Sequence, residues 1–158
     1  MHKAKRIFIV GDISHKSIKM FIDQMPKLAK GFIRLGHDVR TFSYCNALKQ
    51  ASPIDSKTFA SRFYKGRVDD LLAGQIKEYC PDIVYVSFAR VLDAQTVQRL
   101  RQAAPSAVFV GGDGDPWPQS QKNRVETARQ LDIVTATNDG SFLQVYKDAG
   151  VPLCVYMP

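Results

Sequence analysis

Behind Pro81 lies Asp82 to Phe88 (DIVYVSF), and the reading of this stretch decides the fold. Ile83 to Val86 form an apolar run too short for a helix and without polar alternation. It reads as a strand buried on both faces. Similar runs recur on either side: Lys5 to Val10 (KRIFIV), Asp38 to Tyr44 (DVRTFSY), Ala107 to Val110 (AVFV), Asp132 to Thr137 (DIVTAT) and Leu153 to Met157 (LCVYM). Between them the apolar spacing turns helical. Ile18, Phe21, Ile22, Met25, Leu28, Ala29, Phe32 and Ile33 recur at three and four residue steps, with Ser14 or Ser17 as a cap, Gly36 as a stop and Pro26 predicting a kink near Gln24. Further helical patterns carry Val68, Leu71, Leu72, Ile76 and Tyr79, then Ala94, Val97, Leu100 and Ala104, then Val125, Ala128 and Leu131, and last Phe142, Tyr146 and Ala149. Apolar strands alternating with amphipathic helices predict one three-layer, Rossmann-like α/β domain over 1–158. Its sheet would be mainly parallel, of about six strands, with helices on both faces and right-handed crossovers.

The segment 45–67 escapes this pattern. Leu48, Ile54, Phe59, Phe63 and Tyr64 alternate with Lys49, Lys57, Arg62, Lys65 and Arg67, and the segment reads as an irregular basic stretch holding an edge strand or a short helix. It suits contact with an acceptor or a membrane surface, or else packs as a loop on the domain's own edge. Charge is uneven. Residues 1–67 hold 14 Lys and Arg against Asp12, Asp23, Asp38 and Asp55, whereas residues 68–158 hold 8 against 11 acids. The basic half is either a solvated face or the footprint of an anionic partner, such as lipid head groups, an acidic glycan or nucleic acid.

Cys45, Cys80 and Cys154 are scattered, without a CxxC pair or a nearby histidine, which argues against a disulfide framework and a zinc site. They read as small buried hydrophobes in a reducing, cytoplasmic setting. No apolar run is long enough to span a bilayer, and the basic start from Met1 to Arg6 lacks the apolar stretch of a signal peptide. An apolar last strand needs cover on both faces, so the chain is expected to be half of a larger protein, an ordinary short end being the alternative.

In a parallel sheet, ligands bind beyond the carboxyl ends of the strands. The segments there are Gly11-Asp12-Ile13-Ser14-His15, Ser87-Phe88-Ala89-Arg90, Gly111 to Trp117 (GGDGDPW) and Asn138-Asp139-Gly140. The first suits an oxyanion or a hydroxyl-rich ligand at a helix start. It lacks GxGxxG, and no acid follows the second strand, which disfavours a dinucleotide. GxxxxGK[ST] and GxSxG are absent as well, which removes P-loop phosphoryl transfer and the common hydrolase nucleophile. His15 is either a base acting on a sugar hydroxyl or a surface and capping residue. His37 reads as structural and His2 as part of a loose terminus. In GGDGDPW, carboxylates to hold hydroxyls and Trp117 to stack on a sugar face coincide, the alternative being a turn in which Asp115 caps the next helix. No metal ligand set is read.

Two segments carry a family likeness. The helix end RLGHDV (34–39) leading into the second strand resembles the opening of a GT-B glycosyltransferase, and LDIVTATNDGSFLQVYKDAGVPLCVYMP (131–158) resembles the end of the N-terminal domain of such enzymes. GGDGDPW is similar to an Asp-Pro loop of the CgeB-like, spore-maturation-type branch. The resemblance implies the N-terminal, acceptor-side half of a two-domain transferase, inactive alone. It places no cofactor in this chain, and the nucleotide-sugar donor mainly on a C-terminal domain. It places Asp12, His15, Asp113 and Asp115 toward the cleft, with His15 or Asp115 as base if the enzyme inverts. Gly11, Ser14, Ser87, Arg90, Gly112, Trp117 and Asn138 join Asp12 and Asp113 as acceptor contacts. The implied partners are a glycan, lipid-linked or protein acceptor, a second α/β domain, and an anionic membrane surface through residues 1–67 at the inner face of the membrane, rather than nucleic acid.

Two other readings remain open. Ser87-Phe88-Ala89 and Gly111-Gly112 fall where a corrinoid-binding module carries SxL and GG, although His15 stands three residues after Asp12 rather than two and Ile18 stands in place of glycine. A non-enzymatic interaction domain using the basic half is the third.

Overall fold

The computed structural model describes residues 3–11, 24–87, 92–114 and 121–157. The elements follow in the order β1 (Arg6–Gly11), α1 (Gln24–Arg34), β2 (Asp38–Ser43), α2 (Tyr44–Ala51), α3 (Lys57–Tyr79), β3 (Ile83–Val86), α4 (Ala94–Ala103), β4 (Val108–Asp113), α5 (Gln121–Ala128), β5 (Ile133–Ala136), α6 (Ser141–Asp148) and β6 (Leu153–Tyr156). The six strands form one sheet in the order β2-β1-β3-β4-β5-β6, every neighbouring pair parallel. This is a Rossmann-like α/β fold.

The layers are unequal, and the strand order explains why. The chain moves sideways in one direction once, from β1 to β2 through α1, and in the other direction at every later crossover. Crossovers of one hand then put α1 on one face and α2 to α6 on the other. The larger core accordingly joins Phe8, Val10, Val84, Val86, Phe109 and Val134 to buried residues of α2, α3, α4, α5 and α6. The smaller joins Ile7, Ile9 and Tyr85 to Met25 and Ala29 of α1. Among the described helices, α1 alone contributes to that smaller core. Farther along the same face Val108, Leu153 and Val155 are 41%, 51% and 39% exposed.

Two details depart from the sequence reading. The segment 45–67 is helical: α2 occupies most of its first part, and Ser56 starts α3 by accepting a hydrogen bond from the Phe59 amide. Its basic and aromatic residues interrupt the apolar stripe, which hid the helix from the spacing. Pro26 lies near the start of the described part of α1, Gln24–Arg34, and the kink expected near Gln24 falls at the edge of the described residues, with Ile18, Phe21 and Ile22 outside them. Cys80 is exposed rather than buried, because it holds the left-handed turn (φ 50°) that closes α3 before Pro81. Cys45 and Cys154 are half-buried. His37 is structural, as expected, its Nδ1 accepting the Lys5 amide at 3.2 Å.

Side chains at the strand starts tie helices to the sheet. Asp132 accepts both arms of Arg101 at 3.0 Å and the Phe109 amide at 2.7 Å, joining α4 to β4 and β5. Partial burial alone would raise its pKa, but the hydrogen bonds from Arg101 and Phe109 outweigh it and hold the carboxyl below its usual value. A carboxyl with a lowered folded-state pKa stabilises the fold above its unfolded value near 3.9 and loses that contribution as pH falls through the folded value. Asp132→Asn is expected to cost about 1–2 kcal/mol at neutral pH, modest because the pair is partly solvated. The difference from the parent should narrow below about pH 4. Urea unfolding at pH 7 and pH 3 checks both statements, and an undiminished gap at pH 3 would contradict the second.

Candidate functional site

At the rim where the strands end, residues 24–28 of α1 stand off the sheet and leave a cleft. Gln24, Met25, Lys27 and Leu28 form one wall. Tyr85 and Ser87 of the β3 end, Gly112 to Gly114, Thr135 to Thr137 and Met157 form the floor and the other wall, enclosing about 310 Å³.

Tyr85 shapes this floor. Strand alternation points it to the α1 side, where it lies across Gly112. A Cβ at Gly112 would stand 1.9 Å from the Tyr85 hydroxyl oxygen and 2.7 Å from the ring carbon that bears it. Gly112 must therefore be glycine for the ring to lie down. Gly111 and Gly112 continue β4 rather than end it, contrary to the sequence reading, because both stay paired with β5. Thr135 donates to the Gly111 carbonyl at 3.1 Å. Burial raises the Tyr85 pKa, and a hydrogen bond with Thr135 offsets this in part, so the phenol is neutral at physiological pH. At the end of β1 a Cβ on Gly11 would stand 3.0 Å from Met25 and 3.3 Å from Ser87, which lets α1 approach the rim.

Of the residues singled out in the sequence, Ser87, Gly112 and Asp113 line the cleft. Gly11 packs against Met25 and Ser87 beside it. Asn138 is adjacent rather than lining, its amide 3.4 Å from the Thr137 hydroxyl. Asp12, Ser14, His15, Arg90, Asp115 and Trp117 lie outside the described residues. Asp113 differs from its expected part as a ligand carboxylate. Its side chain is fully buried toward the other face, where it accepts from the Tyr146 hydroxyl and pairs with Arg124 at 3.5 Å. The register explains this: Asp113 shares the parity of Phe109, which faces the larger core. Burial, then the bond to Asp113, drives the Tyr146 pKa far upward.

Sequence reading missed Tyr85, Thr135, Thr137, Gln24 and Lys27. Strand alternation could have found Tyr85, which sits two residues before Ser87. The α1 residues needed the folded structure, because only its topology brings them over β3 to β5.

A second polar cluster lies at the same rim on the opposite face. Tyr44, just past β2, donates to Asp69 of α3; Lys65 reaches Asp69 at 2.7 Å, Thr96 at 2.6 Å and Asp93 at 3.3 Å; Asp93 caps α4 through the Thr96 amide at 2.9 Å. Burial, then the bond to Asp69, raises the Tyr44 pKa. Burial also pushes the Asp93 pKa up, but Thr96 and Lys65 overcome it and leave a net lowering. The cluster locks α2, α3 and α4 together. Among the described residues no three His, Cys, Asp or Glu side chains gather as metal ligands would.

The chain has a Rossmann-like α/β fold with a cleft at the strand ends. No family model matches the chain, and no curated protein does. Among solved structures it is similar to pyridoxal kinase from Trypanosoma brucei, with 14% identity and a TM-score of 0.54; the match covers 94% of this chain and 59% of that one. The chain thus spans about three fifths of that protein's length. It also matches a GH18 chitinase from Pseudoalteromonas aurantia at 13% identity and a TM-score of 0.42, over 94% of this chain and 76% of that one. At such identities the first likeness bears on the fold alone, and neither structure is a glycosyltransferase.

Gly112→Ala is expected to destabilise the domain by about 1–3 kcal/mol through overpacking against Tyr85. Tyr85→Ala in the same chain should recover part of that loss. A double-mutant cycle by chemical denaturation measures the coupling, and strictly additive effects would contradict the contact.

Proposed function

We propose that this domain is the acceptor-binding half of a GT-B-type glycosyltransferase, with the cleft under α1 holding the sugar-bearing part of the acceptor. The observation that carries the reading is the make-up of the cleft. An amide (Gln24), an ammonium (Lys27) and hydroxyls (Ser87, Thr135, Thr137) ring a floor of Tyr85, Met25 and Leu28. A pyranose has the matching character, hydroxyls around its edge and C–H groups on its faces, one of which an aromatic ring can take. Neutral hydrogen-bonding groups orient such a ligand, and the apolar floor contributes burial.

Transfer breaks the bond between the anomeric carbon of the donor and its nucleotide phosphate, and makes one to an acceptor oxygen that gives up its proton. Asp113 is engaged with Tyr146 and Arg124 and does not serve as base. The groups proposed for that step, His15 or Asp115, belong to loops at the same rim by sequence. The donor is assigned to a second domain, so the chain alone is expected to bind acceptor and to turn nothing over.

Titration of isotope-labelled protein with mono- and oligosaccharides is the test. Amide shifts should change at Ser87, Gly112 and Thr135, and Thr135→Val should weaken the best ligand roughly five- to tenfold, the worth of one hydrogen bond. Nucleotide sugars should bind no better than their free sugars. Silence toward all sugars, or a visible spectral shift on adding cobalamin, would overturn the reading.

A further inference from the structure

We propose that the outward face of the α2–α3 unit is a docking surface for an anionic lipid bilayer. The inference begins with length. A helix the length of α3, Lys57–Tyr79, measures about 34 Å. A six-residue strand such as β2 measures about 20 Å. At one end of the sheet the Tyr79 hydroxyl reaches the carbonyl of Asp38, where β2 starts; at the other, Asp69 binds Tyr44, where β2 has ended. The turns of α3 before Asp69 therefore project past the rim that bears the cleft.

This projection is apolar on two sides. Within it Ala60 and Val68 face the core while Phe63 points outward at 63% exposure; Ile54 in the preceding turn is 52% exposed, and Leu71, just beyond the projection, is 53% exposed. A helix with apolar residues on both sides is ordinarily covered on both. Phe63 is propped rather than loose: its ring lies 4.7 Å from that of Phe59, and the Arg62 guanidinium stands 5.9 Å from its centre.

The charge around these residues selects the partner. Between Lys49 and Arg67 the sequence holds five basic residues against Asp55 alone. Lys65 is committed to Asp69 and Asp93, whereas Arg62 and Arg67 are exposed beside Phe63. Asp70 on the same side is paired with Arg99 at 3.1 Å. Separate apolar tips among cations, rather than one continuous apolar patch, match a phospholipid interface, where the tips enter the acyl boundary and the arginines meet phosphate. Among the described residues no helix is long and apolar enough to cross a membrane, so the contact proposed is a peripheral one. The surface stands apart from the cleft and does not depend on what the cleft binds.

Co-sedimentation of the full chain with vesicles tests this. Binding is expected to mixed phosphatidylglycerol and phosphatidylcholine vesicles at low salt, falling as salt rises, and not to phosphatidylcholine alone. Arg62→Gln with Arg67→Gln should weaken it roughly thirtyfold, from the worth of two basic residues at such a surface. Phe63→Ser should weaken it roughly tenfold. Lys30→Gln with Arg34→Gln removes the same charge from α1 on the other face of the sheet and should change binding less than about threefold. Circular dichroism confirms that each variant is folded. Equal losses in the two double variants would reduce the effect to net charge and overturn the proposal. So would binding to neutral vesicles unaffected by salt, or a parent chain that gel filtration shows to be a dimer and Phe63→Ser a monomer, since a second copy would then be the occupant.

Discussion

Everything at the functional rim depends on the reversal of chain direction at β1. Because β1 pairs with β2 on one side and β3 on the other, the chain must leave it one way and come back across it. The single outward step places α1 alone on its face, and the return places the other described helices opposite. A cleft forms beside Gln24 to Leu28 of that helix, which overhang strand ends that no other described helix covers on that side. Gly112 and Tyr85 then decide its depth. Without a side chain at 112 the phenol lies flat and the floor is open; with one, the ring would have to rise into the space now enclosed by α1.

The strands were legible in the sequence because buried parallel strands are written in consecutive apolar residues, and KRIFIV, DIVYVSF and DIVTAT leave little other reading. The helices α4 and α6 were legible for a similar reason, as each carries an apolar stripe, whereas α5 buries Arg124 and Thr127 beside Ala128. The α2–α3 region was not. Phe63 stands on the face opposite Leu72, and Leu71 is exposed on the flank beside Val68, so the apolar residues do not mark a single stripe. What hid the helix is the same property that gives it an exposed apolar side. Glycines and polar residues after the strands pointed to the rim that bears the cleft, because position along a parallel strand determines where its end lies. They did not reveal which face each side chain takes. Asp113 illustrates the difference: its place at the rim was readable, but its commitment to Tyr146 and Arg124 follows from strand parity and from helices distant in sequence.

Polar groups at the two ends of the sheet differ in kind. At the strand starts, Asp82 and Asp132 accept backbone amides and basic side chains in partly solvated settings, and their carboxyls titrate below the usual range. At the strand ends, Tyr44 and Tyr146 each donate to a buried carboxylate, and burial drives both phenols upward so that each remains a donor. Removing such a phenol hydroxyl leaves a buried carboxylate short of a partner, which costs more than losing an exposed pair. The strand ends are thus held rigid from the side opposite the cleft. A site needs that support, because loops and a helical turn can position ligand groups only as well as the sheet beneath them stays fixed.

That rigidity also joins the cleft to the projection of α3. Tyr44 and Asp69 fix α3 to the end of β2, while Lys65 and Thr96 fix it to α4, so the segment bearing Arg62, Phe63 and Arg67 leaves the rim as an extension of a braced helix. Cleft and projection therefore lie at the same rim on opposite faces of the sheet, one lined by hydroxyls, an amide and the Lys27 ammonium, the other basic and tipped with apolar residues. A ligand with a sugar head and a lipid-borne tail presents those two characters in the same order outward from a bilayer. Under the two proposals together, one acceptor would have to meet both surfaces: its polar head would rise far enough from the membrane to enter beneath α1, while the projection rested at the level of the phosphates.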